Sequence, residues 1–89
     1  MPVEVMQITN IKGLHARASA KFAETVERFD AHAMVRKDGI SADGDSIMGL
    51  LMLAASVGTT IEVETSGPEA EALMTSLSAL VADKFGEGD

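Results

Sequence analysis

The segment Gly13-Leu14-His15-Ala16-Arg17-Ala18-Ser19 sets an imidazole and a guanidinium two residues apart, where an alanine-rich run begins. A helix starting at Ala16 leaves its first backbone N–H groups unpartnered and carries a partial positive charge at that end. Such an end is a ready anion site, and phosphate is a common occupant. Ala16, Arg17 and Ala18 would supply N–H groups, and the Arg17 fork matches phosphate geometry. The small alanines keep the mouth of the site open. At this position the helix dipole would disfavour imidazolium and favour the neutral, nucleophilic ring. Once the ring carried phosphate, the same dipole and Arg17 would stabilise the dianion. The chemistry this pattern can do is to accept a phosphoryl group and pass it on. Equally, these residues are compatible with an ordinary polar side chain beside a helix start.

Nothing else in the sequence supplies a second kind of chemistry. There is no Walker-type glycine-rich loop, so no nucleotide machinery and no cofactor are expected. His32 falls on an exposed strand position with no visible partners. Two isolated histidines lack the spacing of metal ligands, and the chain has no cysteine, so no metal is expected.

A second stretch, Gly44-Asp45-Ser46-Ile47-Met48-Gly49-Leu50-Leu51-Met52-Leu53-Ala54-Ala55, is notable for apolar excess. Ser46 reads as a helix N-cap. Leu50 and Leu53, with Ala54, can face a core. That leaves Ile47, Met48, Leu51 and Met52 with too little core to share, so some must lie near the surface. An exposed aliphatic and methionine patch is an adaptable docking surface.

The elements that position these residues follow from periodicity. Val3 to Ile8 reads as a strand, and Ala16 to about Phe29 as a helix with Ala18, Phe22, Val26 and Phe29 inward. Residues 31–36 alternate, with Ala31, Ala33 and Val35 on one face. Lys37-Asp38-Gly39 is a hairpin turn into a short strand, Ile40 to Ala42. A second helix runs from Ile47 to Ala55 before Gly58. Thr60 to Thr65 alternates, with Ile61, Val63 and Thr65 inward. Pro68 fits a first helical position, Glu69 and Glu71 complement the helix start, Lys84 its end, and Leu73, Leu77, Leu80 and Val81 form the buried stripe. The order βαββαβα is satisfied by one antiparallel sheet with helices on one face, an α+β fold in which the first helix is a crossover.

Residues 1–89 are expected to form a single domain, frayed at Gly86-Glu87-Gly88-Asp89. Fourteen acidic and seven basic residues give a net charge of −7, which argues against nucleic acid and anionic membranes as partners. The N-terminus has no signal-peptide pattern, and no apolar run reaches membrane-spanning length. A cysteine-free chain suits a reducing cytoplasm.

GLHAR around His15 and SIMGLLML from Ser46, at this separation, resemble the HPr family of histidine-containing phosphocarriers of the bacterial phosphotransferase system. The likeness runs from Val3 to about Phe85. The stretches ITN, FDA, LLML, IEVE and GP look closer to its nitrogen-related branch, NPr. The resemblance implies an open-faced β-sandwich of four strands and three helices. It implies that His15 takes phosphate on Nδ1 from phosphorylated enzyme I, itself charged by phosphoenolpyruvate. A histidine of an enzyme IIA is then the acceptor, Arg17 steadies the transferring group, and the carrier is a monomer rather than a self-contained enzyme. Ile47, Met48, Leu51 and Met52, with Ala16 and Ala20, would form the docking surface. Ser46 matches the serine that HPr kinase/phosphorylase modifies in some bacteria, and a phosphate there is tolerated at a helix start. Serving only as an N-cap is an equal alternative for it.

Two departures from the family pattern bear on function. Ala18 stands where proline is usual, which adds an N–H near the phosphate. Glu24, Glu27 and Gly49 stand where sugar-type carriers often have lysine, which favours a nitrogen-type, regulatory partner set. A competing reading is a non-transferring module that binds partners through the 47–52 patch and is switched by phosphorylation. A small-molecule-binding α+β domain is a third, disfavoured by the lack of room near Gly13.

Overall fold

The structure is a computed structural model describing residues 1–87. Its elements are β1 (Val3–Gln7), α1 (Ala16–Glu27), β2 (His32–Lys37), β3 (Ile40–Asp43), α2 (Ile47–Met52), β4 (Thr60–Ser66) and α3 (Ala70–Ala82). A 3₁₀ turn, Lys84–Gly86, follows α3. The four strands form one sheet in the order β1-β4-β2-β3, with every neighbouring pair antiparallel. β4 therefore lies between β1 and β2, and α1 crosses over it, as the sequence order requires.

Alternation along each strand divides the sheet into two faces. Met6, Ala33, Val35, Ala42, Ile61 and Val63 point inward and meet Phe22 and Val26 of α1, Leu50 of α2, and Leu73, Leu77 and Val81 of α3 in one apolar cluster. Thr65, also inward and fully buried, donates its hydroxyl to the Ala70 carbonyl at 2.8 Å and ties β4 to the start of α3. The other face is open, with Val3 and Val5 exposed and Arg36 paired to Glu62 at 2.8 Å and Glu64 at 2.5 Å. These pairs are half-exposed on the open face and contribute modestly to stability. The fold is the α+β open-faced sandwich the sequence predicts.

The hairpin at Asp38-Gly39 is a two-residue loop with both φ angles positive, 51° and 81°, the geometry that matches the twist of the paired strands. Elsewhere, boundaries move. α1 stops at Glu27, and Phe29 packs against the core from the following turn. α2 stops at Met52 rather than Ala55, because Ala54 adopts a left-handed φ of 53° and cannot continue the helix. Ala54 is accordingly exposed, and Ala55 takes the buried place expected of it.

Pro68 precedes α3 instead of opening it. Glu69 is the N-cap residue, and its carboxylate accepts from the Asp30 N–H at 2.6 Å, so it joins two loops rather than the helix start. Lys84 lies past α3, which has no basic residue in its last turn. Leu80 is half-buried against the core, while Met74 and Ala70 complete the buried face of α3. The expected fraying fails at Gly86 and Glu87, which are folded back on the body by the 3₁₀ turn, and Gly88 and Asp89 lie outside the described residues. Among the described residues no helix is long and apolar enough to cross a membrane.

The two sides of α2 predict opposite sensitivities. Leu50 is fully buried and Met48 is 71% exposed. In urea denaturation, Leu50→Ala should cost about 2–5 kcal/mol and Met48→Ala no more than about 0.5 kcal/mol. Equal losses would contradict this division of the helix.

Candidate functional site

His15 is the N-cap residue of α1, with extended backbone at φ −80° and ψ −175°, and its side chain makes no capping bond. The ring therefore does not fold over the helix end, and the side chain is 27% exposed. The first i→i−4 bond of the helix runs from the Ser19 N–H to the His15 carbonyl at 2.8 Å. The N–H groups of Ala16, Arg17 and Ala18 precede it and have no intrahelical acceptor. No acidic residue occupies the first turn.

The loop ahead of His15 is held from inside. Leu14 is buried and its N–H donates to the Ala55 carbonyl at 2.8 Å. Gly13, at φ +67°, passes so close to that strand of backbone that a Cβ would stand 2.4 Å from the Ala55 oxygen. Fully buried Asn10 donates from Nδ2 to the Gly13 carbonyl at 2.8 Å, and the Gly13 N–H donates to the Asn10 carbonyl at 3.1 Å. Buried Ser19 donates from Oγ to the Leu14 carbonyl at 3.3 Å. Glycine, asparagine and serine thus fix the approach to His15 by backbone bonds, and the imidazole has no positional freedom beyond its own two torsions.

Around the ring is a cleft of about 610 Å³ lined by Lys12, His15, Ala16, Arg17, Lys21, Gly86 and Glu87. Three of the seven basic residues of a strongly acidic chain meet there. The arrangement can hold an anion between the start of α1 and the Arg17, Lys12 and Lys21 side chains, within reach of a nucleophilic nitrogen.

Glu87 shares the cleft. Its Oε2 is hydrogen-bonded to His15 Nε2, and its Oε1 accepts from Asn10 Nδ2 at 3.0 Å. The hydrogen bond with His15 holds the Glu87 carboxyl below the usual glutamate range, with help from Asn10 and from the charges of His15 and Lys12. Glu87, Asn10, Lys12 and Lys21 were not singled out by the sequence. Glu87 is 72 residues away from the histidine it meets, and a buried asparagine reads like any turn asparagine.

The second stretch also behaves as its composition predicts. Ser46 caps α2, its Oγ accepting from the Gly49 N–H at 3.1 Å. Ile47, Met48 and Met52 are exposed, Leu51 is half-buried, and Leu50 and Leu53 are in the core. α2 packs against α1, on which Ala16 is exposed and Ala20 half-buried. Ala18, in the usual place of proline, is fully buried. His32 is exposed on β2, and among the described residues no cluster of ligating side chains could hold a metal ion.

Residues 4–83 match the family model described as "PTS HPr component phosphorylation site". The chain is 45% identical to the phosphocarrier protein HPr of Cupriavidus necator, over 92% of each chain. It is 39% identical to the phosphocarrier protein NPr of Escherichia coli K12, over 94% of each. The crystal structure of HPr-C-His from Thermoanaerobacter tengcongensis superposes with a TM-score of 0.93 at 34% identity, covering 98% of both chains.

The contacts of the site give two expected outcomes. Gly13→Ala combines a left-handed φ with a clash against backbone, and should destabilise the fold by about 1–3 kcal/mol in urea denaturation. The Glu87 contact has a pH signature. A carboxyl held below its unfolded value stabilises the fold above that unfolded value, and the benefit disappears as pH falls through the folded one. The stability difference between wild type and Glu87→Gln should therefore be present at neutral pH and disappear as pH falls through the lowered folded-state value of the carboxyl. A difference unchanged across that range would show that the carboxylate is not bound there.

Proposed function

The chain belongs to the HPr family of phosphocarrier proteins, and from that premise we propose that it carries a phosphoryl group on His15 between enzyme I and an enzyme IIA. The observation that supports this most is the placement of a solvent-accessible imidazole at the open start of α1, in a cleft shared with Arg17, Lys12 and Lys21.

The donor is a phosphohistidine on enzyme I, charged from phosphoenolpyruvate. The lone pair of His15 Nδ1 attacks phosphorus, the P–N bond to the donor ring breaks, and its electron pair returns to that ring. The N–H groups of Ala16, Arg17 and Ala18 and the Arg17 guanidinium receive the phosphoryl oxygens. Catalysis here consists of positioning and charge stabilisation. The same steps in reverse, with an enzyme IIA histidine as acceptor, empty the carrier. A protein of this kind is an intermediate of a relay in the cytoplasm and acts as a monomer.

Docking of both partners falls to Ile47, Met48, Leu51 and Met52 with Ala16 and Ala20. An exposed methionine surface repacks against more than one partner at small cost. The system served is of the nitrogen type, with regulatory output. The stretches ITN, FDA, LLML, IEVE and GP and the absence of lysine at positions 24, 27 and 49 support it. Overall identity does not, because the Cupriavidus HPr shares more residues with the chain than NPr does. Ser46 is a modification site for HPr kinase/phosphorylase. Phosphate at the start of α2 would set negative charge beside the docking patch and weaken its contact with an acidic partner.

Intact mass after incubation with phosphoenolpyruvate and a nitrogen-type enzyme I should rise by one phosphate in wild type and not in His15→Ala. Arg17→Ala should accept it about 10²-fold more slowly. Phosphate acquired by His15→Ala would end the proposal. Met48→Asp should raise the KM for phosphorylated enzyme I about tenfold with the fold intact, since about 1.4 kcal/mol of docking free energy corresponds to that factor. An unchanged KM would remove α2 from the docking surface.

A further inference from the structure

We propose that Glu87 is the positioning residue of His15: it holds the ring proton on Nε2, leaves the Nδ1 lone pair exposed, and offsets the charge of the phosphorylated ring. The inference rests on the carrier reading above and deepens it.

The path of the chain end shows how the carboxylate is brought there. After α3 three consecutive residues, Lys84, Phe85 and Gly86, take left-handed φ angles of 54°, 56° and 75°. Two of them are not glycine, and such a run persists only where the surroundings enforce it. The surroundings are visible. Phe85 is fully buried in the core, and its carbonyl accepts from Lys21 Nζ at 2.6 Å. Beyond that anchor, Glu87 is gripped from two sides, by Asn10 Nδ2 at 3.0 Å and by His15 Nε2. Asn10 is itself fixed, because its Nδ2 also donates to the Gly13 carbonyl. The reverse orientation of its amide would set oxygen against two acceptors. A surface glutamate in passing contact would have neither the buried anchor nor the oriented partner.

The consequence for the ring is chemical. A carboxylate only accepts hydrogen bonds, so the nitrogen that faces it must carry the proton. With the proton on Nε2, Nδ1 keeps its lone pair. When Nδ1 forms the P–N bond, the proton stays on Nε2 and the ring becomes an imidazolium beside Glu87. When the bond breaks, the electron pair returns to Nδ1 and the ring leaves as neutral imidazole, with no proton moved at either step. An acidic group that fixes one nitrogen of a histidine and stabilises its cationic form acts in the same way in hydrolase triads. The charged groups acting on the Glu87 carboxylate are His15 and Lys12 from the loop before α1, while Arg17 and Lys21 of α1 line the same cleft.

The test is ¹⁵N NMR of the His15 ring in the unphosphorylated full chain at about pH 8, in wild type, Glu87→Gln and Glu87→Ala. Wild type should show one protonated nitrogen, Nε2, with its proton directly observed. Glu87→Gln should keep that tautomer through its amide oxygen, and Glu87→Ala should lose the proton signal and mix the two forms. In the phosphorylated proteins, the pH midpoint of phosphate loss should fall by about one unit in both variants, because the opposite charge beside the ring is gone. A wild-type ring protonated on Nδ1, ring signals unaltered in Glu87→Ala, or a midpoint unmoved in Glu87→Gln would each overturn the assignment. The tautomer readout needs no phosphate. A ring that responds to Glu87 in a protein that never accepts phosphate would uphold the positioning and fail the carrier reading alone.

Discussion

The site depends on one place where two loops cross. Gly13 passes against the Ala55 carbonyl with no room for a side chain, and Leu14 donates its N–H to the same oxygen. That contact ties the start of α1 to the end of α2. It therefore sets the histidine and the apolar helix beside it in one rigid frame. The left-handed turn at Ala54 belongs to the same constraint, since α2 must stop there for its carbonyl chain to meet Gly13. Sheet and core enter through this frame: Leu14, Leu50, Leu53 and Ala55 all belong to the central cluster. A rigid scaffold with its chemistry on a loop is a general division of labour. Here the loop itself is held by backbone bonds on both sides.

Charge is arranged against the bulk of the molecule. The chain carries a net charge of −7, yet its cleft gathers Lys12, Arg17 and Lys21 around the start of a helix with no acid in its first turn. A local cationic cleft in an acidic body favours an anion over a cation. Among the described residues the one acid lining the cleft, Glu87, is bonded to the ring nitrogen rather than to the N–H groups of Ala16 to Ala18.

Much of this was legible from residue order. Alternation in Ile61, Val63 and Thr65, the Asp38-Gly39 hairpin and the spacing of Ala18, Phe22 and Val26 gave a strand, a turn and a helix face, because each is a local consequence of residues close in sequence. His15 with Arg17 at a helix start was legible because both groups lie within three residues of each other. The surface bias of Ile47, Met48 and Met52 followed from counting apolar residues against the room in a small core. Failures came where a distant contact overrides local preference. Ala54 is a strong helix former, yet the close approach at Gly13 turns it left-handed. Pro68 lies two residues before α3, and Glu69, at the N-cap, directs its carboxylate to the Asp30 N–H of another loop. The chain end looked loose by composition, and no local pattern reveals that Phe85 is buried or that Glu87 returns to His15.

The most direct measurement of the central claim is the phosphorus–nitrogen coupling in ¹⁵N-histidine-labelled protein after phosphorylation by enzyme I. A carrier on His15 should show a single coupling to Nδ1, with Nε2 still protonated toward Glu87. Coupling to Nε2, or a phosphorus signal with no nitrogen partner at all, would contradict it.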